Sequence, residues 1–116
     1  MSDSFWRDNL IQPSLNNDVD VAVAEQQAIL AKDPNNANAY FALGTLAHFS
    51  GEIEQAMQYF QKSIELNPAS AAPHLSLGRL QAVRGEYEAA WKHARAAEAL
   101  GTGDLVQMLE RYPNLK

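Results

Sequence analysis

The chain has 116 residues, 47% of them hydrophobic and 20% charged, and a formal charge of −5, the balance of a folded chain rather than a disordered one. Its length allows one domain at most, able to bury roughly two thirds of the surface that the unfolded chain exposes. No run of Lys or Arg forms a stripe, which argues against nucleic acid or an anionic membrane as the main partner, and the absence of cysteine excludes disulfides and thiolate metal sites.

The N-terminal stretch MSDSFWRDNLIQPS has neither a basic n-region nor a long apolar h-region and does not read as a signal peptide. No apolar run approaches the length of a membrane span, so the expectation is a soluble, cytoplasmic protein. Phe5, Trp6, Leu10 and Ile11 can be read in two ways. They fold back as a short cover over the helix expected from Val19 to Leu30, or they form a docking arm that enters another copy and makes a homodimer. Covering is the reading adopted. Pro13 is expected to break any helix that runs on from Trp6.

From Ala37 the apolar residues Tyr40, Leu43, Leu46 and Ala47 recur in steps of three and four, one face of a helix. Gly51 suits the left-handed residue that ends such a helix. A second stripe, Ile53, Ala56, Met57, Phe60 and Ile64, runs up to Leu66, where Asn67-Pro68 stops it. Ser70 can then cap a third helix, with Pro73 tolerated in its first turn and Leu77, Gly78, Leu80 and Gln81 following. Gly85 ends that helix, and Tyr87, Ala90, Trp91, Ala94 and Ala97 form the next stripe. The tail GDLVQMLERYPNLK reads as a last helix with Leu105, Leu109 and Tyr112 on one side, stopped by Pro113.

These elements repeat. LGTLAHFSGEIEQA, from Leu43, and LGRLQAVRGEYEAA, from Leu77, carry the same order of residues 34 positions apart. Gly44 and Gly78, Gly51 and Gly85, Ala56 and Ala90, and Pro34 and Pro68 all keep that period, which is a structural signature. A glycine inside a helix costs about 1 kcal/mol relative to alanine. Gly44 and Gly78 are therefore expected where two helix axes come close, with Tyr40, Phe60, Tyr87 and Trp91 filling the wider gaps.

The unit Ala37 to Ser70 resembles a tetratricopeptide repeat: Tyr40, Leu43, Gly44, Gly51, Ala56, Phe60 and Pro68 occupy its signature places. Ala71 to Asp104 resembles it less closely, with His74 where an aromatic is usual and Thr102 where proline is usual. Asp18 to Pro34 is similar to the second helix of a further unit. The resemblance implies an all-α fold, a right-handed alpha-alpha superhelix of antiparallel hairpins. Its parts are an N-terminal segment (1–17), a partial repeat (18–36), two repeats (37–70 and 71–102), and a capping helix with its tail (103–116). A terminal cover with a polar outer face is what a solenoid needs.

The resemblance further implies a non-enzymatic adaptor or scaffold that binds a peptide or helix of a partner protein in a concave groove, with self-assembly into homo-oligomers as the alternative. The groove positions are Asn38, Phe41, Thr45 and His48 from one unit and Leu75, Ser76, Arg79 and Ala82 from the next. Some members hold a C-terminal carboxylate in a clamp of Lys, Asn and Arg. Phe41, Thr45, Ser76 and Ala72 stand there instead, so that clamp is absent. Phe41 and Leu75 lie off the core stripe, and either form an apolar patch or touch the neighbouring helix or the N-terminal segment. Arg79 is the one cation expected in the groove.

His48, His74 and His93 fall in three different helices, with no acid or hydroxyl at the spacing of a site. His74 reads as a packing residue, His48 as facing the groove and His93 as facing outward. Glu52, Glu54, Glu86 and Glu88 open helices, where the dipole stabilises carboxylates. Trp91 shares its place with Met57 and reads as core. No catalytic residue, metal or cofactor is expected.

Overall fold

The computed structural model describes residues 12–111. They form six helices: α1 (Gln12–Lys32), α2 (Ala37–Phe49), α3 (Ile53–Leu66), α4 (Ala71–Val83), α5 (Tyr87–Ala99) and α6 (Asp104–Glu110). There is no strand among the described residues. The readings made for Phe5, Trp6, Leu10 and Ile11, and for Tyr112 and Pro113, lie outside them. Pro13 falls within α1, and the expectation that it breaks a helix running on from Trp6 concerns residues outside those described. The helix then runs unbroken across the expected boundary at residue 17.

Helix starts and stops follow local chemistry. The Asn36 side chain accepts a hydrogen bond from the Ala39 N–H at 2.9 Å and caps α2. Ser70 holds the equivalent place before α4 with extended backbone, but its side chain makes no capping bond. Upstream, Asn67 Oδ1 instead accepts from the Ala69 N–H at 3.3 Å. Gly51 and Gly85 have φ of 81° and 82°, a conformation that side-chain-bearing residues avoid. The Gly51 N–H donates to His48 O at 3.0 Å and the Glu52 N–H to Ala47 O at 2.8 Å. The same pair of bonds recurs as Gly85 to Ala82 O and Glu86 to Gln81 O, at 3.1 and 2.8 Å. This pattern satisfies the last carbonyls of α2 and α4 and turns the chain back on itself.

Each helix packs on the one before and the one after it, and α6 also reaches back to α4, the nearest-neighbour arrangement of a helical solenoid. Between α2 and α3 the axes come close at Gly44. A Cβ there would lie 2.6 Å from Phe60 Cε1 and 2.7 Å from Phe60 Cδ1. In the following repeat Gly78 allows the same close approach, since a Cβ would meet Leu105 Cδ2 at 2.6 Å and His93 Cβ at 3.3 Å. Phe60, 1% exposed, anchors a cluster with Ala47, Ala56, Ile64, Leu77 and Leu80 that joins the two repeats. A second cluster, Ala90, Ala94, Leu105, Val106 and Leu109, seats α6 on the last hairpin. The short α6 therefore covers the apolar end of the stack. Ser63, 2% exposed, donates its hydroxyl hydrogen to the Ala37 carbonyl at 2.8 Å, fastening the end of α3 to the start of α2.

Candidate functional site

The expected groove residues lie on α2 and α4, each of which also buries one face, with Leu43, Gly44 and Ala47 in α2 and Leu77, Gly78 and Leu80 in α4 turned to the core. Asn38, Thr45 and His48 of α2 are exposed, as is Arg79 of α4. The Thr45 hydroxyl is turned back to the Phe41 carbonyl at 3.1 Å. Arg79 makes no ion pair among the described residues, which leaves its guanidinium available to a carboxylate.

Phe41, Leu75, Ser76 and Ala82 are half-buried instead. Phe41 packs against the first core cluster, its ring centroid 5.6 Å from that of Phe60. Leu75 and Ala82 pack against the second cluster. Of the two alternatives for Phe41 and Leu75, contact with neighbouring helices describes their surroundings. The most exposed large apolar side chains among the described residues are others: well beyond Val21, Ile29 and Leu100, Phe49 is 76% exposed and Val83 is 84% exposed. They occupy the same place in the two repeats, the last residue of α2 and of α4. Sequence reasoning passes over both, because Phe49 falls three residues after Leu46 and reads as a continuation of the buried stripe. The usable signal is position. The final residue of a helix that runs into a glycine turn has no further turn of its partner to pack against.

At that same end, Arg84 links three elements. It contacts Glu54 of α3 and Glu86 before α5, the latter at 3.1 Å, and donates to Met57 Sδ at 3.2 Å. Both carboxylates and the guanidinium are substantially exposed, so this set orients the turn more than it stabilises the fold. Trp91 is half-buried against the second cluster, with the Arg95 guanidinium 5.2 Å from its ring centroid, a cation–π arrangement. Glu52 and Glu86 sit at N-cap positions without side-chain capping bonds, and Glu54 and Glu88 lie in first turns.

The three histidines do not stay apart. His48 is exposed, but His74 and His93 meet. The expected place of His93 is the outer surface. It is instead half-buried and turned toward α4, its ring 5.3 Å from that of His74. The reason is Gly78, which removes the side chain that would otherwise separate α4 from α5 beside His93. Burial, then the neighbouring His74 ring, then Lys92 hold the His93 imidazole below its ordinary value of 6.5. Among the described residues no three His, Asp or Glu side chains gather as a metal site requires, and no helix is long and apolar enough to cross a membrane.

A family model for the tetratricopeptide repeat matches residues 37–70. No curated protein matches the chain. That repeat spans α2 and α3, and the following hairpin nests on it through Gly44 and Gly78 on either side of the α3–α4 junction, so the described residues form a helical solenoid whose unit 37–70 is similar to a tetratricopeptide repeat.

Proposed function

We propose that this chain is a non-enzymatic adaptor that receives a segment of a partner protein on the surface of α2 and α4. Repeats of this family are protein–protein interaction modules in general, and the observation that carries the reading for this chain is the pair Phe49 and Val83. Two large apolar side chains in water at corresponding places in successive repeats offer anchors at a fixed spacing. Covering a side chain of this size is worth about 1.5–3 kcal/mol when complete, so the two together supply the core of a modest interface. Thr45 and His48 offer hydrogen-bonding groups beside the first anchor, Asn38 offers another at the opposite end of α2, and Arg79 offers a charge one turn from the second anchor. The partner that fits is an extended or helical segment with two apolar residues and one acidic group.

A photo-crosslinking residue placed at position 49 or 83, with a control at Gln61 of α3, tests this in cells. The expected result is the same partner protein captured from positions 49 and 83 and not from 61. Capture from 61 alone, or from none of the three, would remove the reading. Crosslinks between two copies of the chain would replace it with self-assembly.

A further inference from the structure

His74 and His93 form a chain of hydrogen bonds whose protons can be counted. His74 Nε2 lies 3.0 Å from the Pro68 carbonyl oxygen. A carbonyl only accepts, so His74 carries its hydrogen on Nε2. In a neutral His74 that leaves Nδ1 as a lone pair, and this atom faces His93 Nδ1 at 3.1 Å. His93 must then donate from Nδ1, and its Nε2 is bare. The opposite tautomers would set two lone pairs against each other. The bonds run from Pro68, in the turn that closes the first repeat, through α4 to α5.

We propose that His74 and His93 are a proton-operated clasp that holds the second helical hairpin together, and ties it to the first repeat, at neutral pH and releases it in mild acid. One proton can enter at His93 Nε2 with the hydrogen bond kept, because the Nδ1–H of an imidazolium still donates to His74, although burial and the neighbouring His74 and Lys92 oppose even this first charge. A second has no place to go. It would put N–H groups on both Nδ1 atoms at a separation of 3.1 Å and a second positive charge on a pair in which His74 is 7% exposed. The unfolded chain has no such limit and takes up both protons. Among the described residues, the charged or titratable groups acting on His93 are His74 of α4 and Lys92 of α5. Both oppose its protonation, as burial does.

The sign follows by linkage. Below pH 6.5 the unfolded chain binds more protons than the folded one, so stability present at neutral pH is lost as pH falls. Each proton withheld by the fold changes the unfolding constant about tenfold per pH unit. The place affected is α4, which carries Arg79 and Val83.

Urea unfolding of the full chain followed by circular dichroism between pH 8 and pH 5 tests the clasp, with His93→Gln as the test variant and His48→Gln as the control. The wild-type chain and His48→Gln should show an unfolding constant that rises at least about tenfold between pH 7 and pH 5. His93→Gln should reduce that rise at least threefold. An unaltered pH dependence in His93→Gln overturns the proposal. Should that variant fail to fold, ring-nitrogen NMR of the wild-type protein decides. Hydrogen on Nδ1 of His93 and on Nε2 of His74 at pH 8, with His93 titrating below 6.5, supports the clasp. Hydrogen on Nε2 of both rings, or two rings titrating independently, refutes it.

Discussion

Replacing Gly44 with alanine is the sharpest test of how the hairpins nest. On an open helix the change would stabilise by about 1 kcal/mol, because alanine restricts the unfolded chain and favours the helix. Here the new methyl would stand 2.6, 2.7 and 3.1 Å from Cε1, Cδ1 and Cζ of Phe60. Carbon atoms pack best at about 3.5–4.0 Å, so the ring must move by about 1 Å. Phe60 is 1% exposed and hemmed in by Ala56, Ile64, Leu77 and the Phe41 ring, which leaves it little room. Overpacking of this kind costs about 1–3 kcal/mol. Setting the propensity gain against it gives a net loss of about 0–2 kcal/mol. The assay is urea unfolding of Gly44→Ala, of Phe60→Leu and of the double variant. Against Phe60→Leu the glycine substitution should become neutral or stabilising, a coupling of at least about 1 kcal/mol. Stabilisation by about 1 kcal/mol in the wild-type background would refute the argument, since the two axes would then not be held together at this residue.

Gly51 offers the opposite case, because nothing lies within 4 Å of its absent Cβ and only its φ of 81° is special. Gly51→Ala should cost about 1–2 kcal/mol from backbone strain alone, and Gly51→Asn distinctly less; equal losses by denaturant titration would point to a packing cause instead. Ser63→Ala removes the bond to the Ala37 carbonyl at 2.8 Å and should lower stability by about 0.5–1.5 kcal/mol. An unchanged denaturation midpoint would mean that the link between α2 and α3 does not rest on this hydroxyl.

Much of the fold was legible because its determinants are local and repeated. Gly51 and Gly85 announce helix ends through a backbone conformation that other residues avoid, and both adopt it. The capping signal was legible in kind but not in place. Ser70 has the right chemistry and the right backbone, yet its side chain bonds nothing at the α4 N-terminus, while Asn36 completes the bond before α2. The candidate surface was only partly legible. Helical period says which residues share a face, and it placed Phe41 and Leu75 off the core stripe. It does not say how wide a face the neighbouring hairpin covers, and α3 and α6 reach far enough to half-bury both.

Residue order was enough to specify the helices from Ala37 onward, the sequence of hairpins and the need for undersized residues at 44 and 78, since a period of 34 residues and helical spacing are properties of one chain read in one direction. Only the tertiary structure decided that Phe49 and Val83 end in water, that Leu105 of the last helix fills the space over Gly78, and that His74 and His93 share a hydrogen bond. Those outcomes depend on how far one helix end overhangs the next and on which rings a gap the size of a methyl group lets together. Such distances are set by the packing of all the hairpins at once, not by any single residue.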